Sequence, residues 1–61
     1  MNQIVFFHNG EEVLNLTISN VSRIIPRKGE EIIINGTKNP ILTVQSVTYN
    51  YTIETIIIHL K

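Results

Sequence analysis

Cysteine, aspartate, alanine and tryptophan are all missing from these 61 residues. Without cysteine no disulfide can staple the fold, and nothing marks an oxidising compartment. Metal is nearly excluded as well. The two imidazoles, His8 and His59, stand at opposite ends of the sequence, with no thiol and no aspartate to complete a tetrahedral shell. The lack of aspartate also weighs against catalysis. Ser19, Ser22 and Ser46 have no such carboxylate to orient a histidine, and Glu54 and His59 fall on adjoining elements with no nucleophile between them. Three glycines make no phosphate-cradling loop. The expectation is a protein that is not an enzyme and carries no metal or cofactor.

An excess of one charge is absent too. Five basic residues balance five acidic ones, which disfavours a general nucleic-acid binder, though it leaves room for a local basic patch. Long apolar runs are lacking. The stretch Ile4-Val5-Phe6-Phe7 is too short for a leader and has no basic residues before it, and nothing approaches the roughly 18 residues of a membrane span. The chain is expected to be soluble, away from membranes, in the cytoplasm of a bacterial host cell.

What the sequence does contain is β-branched. Isoleucine occurs 12 times, threonine 6 and valine 5, so 23 of 61 residues are stiff at χ1 and suited to a pleated surface. A domain with no alanine is a poor candidate for a long helix. Residues 1–61 therefore read as one small all-β domain. At this size a core buries only about 60% of the extended-chain surface, so a partner subunit or unusually good packing must add stability. Asparagine is frequent as well, and Asn-x-Ser/Thr triplets begin at Asn15, Asn20, Asn35 and Asn50. With no leader these read as chance products of composition rather than glycan acceptors. Isoleucine and asparagine richness also fits AT-rich codons, hence an AT-rich bacterium or its phage.

Along the chain, "QIVFFH" (3–8) predicts a first strand, and Asn9-Gly10 supplies the positive φ angles of a tight hairpin. "VLNLTIS" (13–19) alternates, with Leu14, Leu16 and Ile18 inward and Asn15 and Thr17 outward; Glu11-Glu12 reads as the hairpin edge. Val21 and Ile24 are expected to cover one end of the core. Pro26 and Gly29 bracket Arg27-Lys28 in a turn. "EEIIIN" (30–35) is a third strand, apolar on both faces, and the next turn runs from Asn35-Gly36 to Pro40. In "ILTVQSVTYNY" (41–51) Leu42 and Val44 share one parity while Val47, Tyr49 and Tyr51 share the other, which predicts a β-bulge at Gln45-Ser46. After a turn near 52–54, "TIIIHL" (55–60) closes the sheet with Ile56, Ile58 and Leu60 on one face and Ile57 and His59 on the other. The expected architecture is a small five-stranded, strongly bent antiparallel sheet or partly open barrel, Src-homology-3-like or OB-like.

The run "IPRKGEEIIING…VQSVTYNY…TIIIHLK", covering residues 25–61, resembles small, uncharacterised β-barrel proteins of phages and mobile elements of AT-rich bacteria. The shared features are a proline, a basic residue, Gly-Glu, an apolar strand, a turn and a Val-x-x-Val-x-Tyr-like strand. The likeness implies a turn-and-strand arrangement and a phage or mobile-element origin, and it transfers no activity. Asn39-Pro40 departs from the pattern, where an aromatic often opens the fourth strand.

Two groups of residues are candidates for a site. Arg27 and Lys28, with Arg23 nearby and Lys38 one loop away, can meet a phosphate; equally, they are the solvated turn that "PRKGE" specifies, balanced by Glu30 and Glu31. Tyr49 and Tyr51, with His59 on a neighbouring strand, can stack on a base; equally, two tyrosines at this spacing finish a core with wet hydroxyls. The favoured reading is a non-enzymatic homo-oligomeric binding module that captures a small phosphorylated ligand, such as a nucleotide signal, with an anti-defence role. The predicted ligand-binding residues are Arg23, Arg27, Lys28, Tyr49, Tyr51 and His59. The alternatives are a protein-interaction or structural adaptor without a small ligand, and a single-stranded nucleic-acid binder, which zero net charge disfavours. Two-faced isoleucine at 32–34 and 56–58 motivates the oligomer.

Overall fold

The computed structural model describes residues 2–17, 25–36, 38 and 40–61. Five strands are present among them: β1 (Gln3–His8), β2 (Glu11–Thr17), β3 (Glu31–Ile33), β4 (Ile41–Asn50) and β5 (Thr55–Leu60). They join in the order β2-β1-β5-β4-β3, a sheet curled into a half-barrel. The all-β, strongly bent and partly open form expected from the sequence is what forms. One pairing departs from the antiparallel expectation: β1 and β5 run parallel, Gln3 opposite Thr55 through His8 opposite Leu60. The sheet is therefore mixed: β5 lies between its hairpin partner β4, which it meets antiparallel, and the distant β1, which it meets parallel.

Local chemistry accounts for the turns. Asn9 and Gly10 both adopt positive φ, 54° and 78°, as a two-residue hairpin with the twist of its strands requires. The β4–β5 turn is capped by its own strand end. Asn50 Oδ1 accepts from the backbone N–H of Thr52 at 3.1 Å and of Ile53 at 3.4 Å. Asn2 then ties the beginning of the described chain to that turn, its backbone N–H and its side-chain amide both donating to Glu54, each at 2.7 Å.

The concave face of the half-barrel is the core. Ile4 and Phe6 of β1, Leu42 and Val44 of β4, Ile56, Ile58 and Leu60 of β5, and Ile34 are buried there, with Leu14, Leu16, Ile32 and Val47 packed against them. Val44, Ile56 and Ile58 are sealed completely; each such side chain contributes about 1.5–3 kcal/mol relative to exposure. The bulge expected in β4 is there: Val44 pairs with Leu60 but Ser46 with His59, so Gln45 is the extra residue and the inward parity passes to Val47 and Tyr49. A second bulge, not foreseen, lies in the first hairpin, where Phe6 faces Leu14 and Phe7 faces Glu12. It leaves Val13 unopposed and lets Val13 and Leu14 both be half-buried.

The third strand is shorter than expected. Only Glu31–Ile33 pair with β4, and the three isoleucines divide: Ile34 is buried, Ile32 half-buried, and Ile33 67% exposed. Ile57, the other two-faced position, is half-buried on the convex side, between Val5 of β1 and Thr48 of β4. The predicted inward Ile18, Val21 and Ile24 lie outside the described residues.

Candidate functional site

The stretch Arg27-Lys28-Gly29-Glu30 forms a β-turn closed by Glu30 N–H donating to the Arg27 carbonyl at 3.0 Å. Gly29 takes φ 91°, the left-handed value that the third position of a type II turn needs. The Glu30 carboxylate reaches back and accepts from Arg27 N–H at 2.6 Å. Two further backbone bonds dock the turn on β4: Gly29 N–H to the Val44 carbonyl at 2.9 Å, and Val44 N–H to the Glu30 carbonyl at 2.8 Å. The basic pair is thus carried on a fixed turn, anchored immediately before the bulge.

The bulge explains why a cleft opens there. Up to Val44 the chain around Glu30 follows β4 in antiparallel register. Beyond it β4 carries the bulge at Gln45, and residues 25–28 and 46–49 contribute to the lining of one gap. Among the described residues no strand pairs with β4 from Gln45 to Asn50 on the side opposite β5. The gap is a cleft of about 840 Å³, lined by Ile25, Pro26, Arg27, Lys28 and Glu30 on one side and by Ser46, Val47 and Tyr49 on the other. Tyr49 is about half exposed, so its ring is available along the cleft while its strand neighbour Val47 packs on the core.

Three of the six predicted ligand-binding residues meet in this cleft: Arg27, Lys28 and Tyr49. Tyr51 does not join them. It falls past the end of β4, in the 51–54 turn, and is 80% exposed. His59 stands opposite Ser46 on β5 and stacks on Phe7 of β1, with ring centroids 6.2 Å apart and planes inclined at 24°. Its ring is committed to the convex face, whereas Tyr49 lies opposite Ile56 on the core side. Arg23 lies outside the described residues, as do Ser19 and Ser22. Glu54 and His59 are separated by five residues of extended chain, about 16 Å, and so form no dyad. Among the described residues no three of His, Cys, Asp and Glu gather as a metal site, and no helix is long and apolar enough to cross a membrane.

The cleft also holds residues that the sequence reading passed over. Ile25 and Pro26 form an apolar lip, and Val47 an apolar floor. The signal was available: the turn motif and the bulge were both legible, and a bulge opposite a docked turn is where two chains part. Chemically the site offers two exposed cations, one carboxylate half-engaged in the turn, an aromatic face and an apolar strip. No family model, curated protein or solved structure matches the chain.

Proposed function

We propose that the chain is a non-enzymatic binding module whose cleft takes a small phosphorylated ligand with a planar ring, a nucleotide by chemical class. The observation that supports this reading most is the convergence of Arg27 and Lys28 with Tyr49 across one cleft. The two cations meet the phosphate with charge-assisted hydrogen bonds, and Tyr49 with Pro26 and Val47 receives the ring. A cleft of about 840 Å³ falls in the usual range for small-molecule sites, about 300–1,000 Å³. In this reading the module works as a homo-oligomer, originates from a phage or mobile element, and sequesters a nucleotide signal of the host cytoplasm as an anti-defence device. The compositional signs of an AT-rich source support the origin.

A second reading follows from the unpaired stretch of β4. An extended peptide can add itself as a strand along residues 46–49, which makes the protein an adaptor with no small ligand.

Calorimetric titration with adenosine 5′-monophosphate and with a cyclic dinucleotide, supported by native mass spectrometry of protein purified from cells, separates the two. Reversing both charges, Arg27→Glu with Lys28→Glu, is expected to weaken nucleotide binding ten- to a hundredfold with an unchanged melting temperature. Exposed turn side chains contribute no more than about 0.5 kcal/mol to folding. Nucleotide binding that survives the double reversal would remove the basic pair from the site and bring the adaptor reading forward.

A further inference from the structure

We propose that two copies of the chain pair β3 to β3 antiparallel about Ile32, which makes the homo-oligomer of the binding-module reading a dimer joined at this edge strand. The inference rests on the binding-module reading for its purpose, while its geometry stands on the edge strand alone.

Among the described residues β3 is an edge of the sheet. Its hydrogen-bond parity follows from the bonds that flank it: the Glu30 carbonyl accepts from Val44 and Ile34 N–H donates to Pro40, so residues 30, 32 and 34 turn their backbones toward β4. Alternation then turns the N–H and C=O of Glu31 and Ile33 outward. A two-fold axis at Ile32 places Glu31 of each copy opposite Ile33 of the other. Each of these pairs exchanges two bonds, and all four outward groups on each strand are used. An axis at Glu31 would instead bring two carboxylates face to face, and an axis at Ile33 would leave the Glu31 backbone without its strand partner. The Ile32 register is the self-complementary one.

Side chains agree with it. Ile33 is 67% exposed and its cross-strand neighbour Ile41 55% exposed. These two form an apolar pair on the convex face, and the pairing extends it to the aliphatic stem of the partner's Glu31. On the concave face half-buried Ile32 meets its own copy and continues the core across the axis. Zero net charge leaves no overall repulsion between copies. The chain exposes 4572 Å², and a standard interface covers about 800 Å² per partner. A three-residue edge falls below that, so the dimer belongs to the weak class.

Sedimentation equilibrium on the ligand-free chain at about 100 µM is expected to show a dimer. Ile33→Glu, at an exposed position, sets carboxylates against each other at both pairs and is expected to give a monomer with an unchanged circular dichroism spectrum. Adding Glu31→Lys to that variant makes both pairs complementary and is expected to restore the dimer. A monomeric wild-type chain or a rescue that fails overturns the proposal. A dimer that is lost with Ile33→Glu and restored by adding Glu31→Lys, yet takes up no adenosine monophosphate or cyclic dinucleotide, refutes the nucleotide reading and leaves the pairing in place.

Discussion

Replacing Gly29 tests whether the 27–30 turn is held by backbone conformation, and the structure allows the cost to be worked out in advance. A Cβ built on Gly29 meets no atom within 4 Å, so a side chain there encounters no steric clash. The whole penalty must come from φ, which is 91°, where an L-residue is strained by about 1–3 kcal/mol. An upper bound comes from the alternative of letting the turn go. That forfeits three backbone bonds, Glu30 to Arg27, Gly29 to Val44 and Val44 to Glu30, each with a net contribution of about 1 kcal/mol. Gly29→Val should therefore cost about 2–3 kcal/mol, out of a total of roughly 3–9 kcal/mol for a chain this long. For a domain of this size the melting temperature should fall by about 8–24 °C. The chain is short enough for chemical synthesis, which permits the decisive control. D-alanine at position 29 favours positive φ and should match or exceed wild-type stability by about 0.4–1 kcal/mol, because it also restricts the unfolded chain. Thermal melts of the three proteins give the answer. If D-alanine destabilises as much as L-valine, the cost lies in side-chain contacts and the conformational account is wrong.

Two further outcomes test the core and the bulge. Ile58→Ala, at a fully buried position, is expected to cost about 2–5 kcal/mol, read as a drop in the urea midpoint with the slope unchanged. Deleting Gln45 removes the extra residue of β4 and forces Val47 and Tyr49 to the face opposite Ile58 and Ile56; the expected result is loss of the dispersed amide spectrum, and a well-folded deletion variant would show that the bulge is dispensable.

Elements whose chemistry is local could be read from the sequence. Asn9-Gly10 marked its hairpin, the parity switch across Gln45-Ser46 marked the bulge, and the alternation of Ile56, Ile58 and Leu60 marked the buried face of β5. The parallel meeting of β1 and β5 could not be read, because nothing in either segment says which distant strand will lie beside it. The bulge at Val13 was hidden for a different reason: with Glu11-Glu12 before it and a clean Leu14–Leu16 alternation after it, one extra apolar residue leaves the visible pattern intact. For the site, the turn supplied Arg27 and Lys28, but the pairing of Tyr49 with Tyr51 rested on a strand that runs one residue too far. Asn50 ends β4 by capping the turn with its own side chain, and Tyr51 is thereby swung out. His59 was on the expected strand, and only the neighbouring Phe7, brought in by the parallel pairing, decides where its ring goes.

The central position of β5 sets an order in time. Every residue of β1 that pairs with it must wait for a segment made 52 positions later, and β5 also supplies two of the three most completely sealed side chains. During synthesis the hairpin of β1 and β2 and the hairpin of β3 and β4 emerge as two half-sheets with no strand between them. Each then exposes the apolar face intended for β5, and long-range pairing of this kind closes slowly compared with local hairpins. The nascent chain therefore passes through an interval in which Ile4, Phe6, Leu42 and Val44 are open to solvent and to any other unpaired edge. This half-barrel has its greatest exposure to aggregation and to proteases before β5 arrives, and expression yield should follow the arrival of β5 more closely than equilibrium stability.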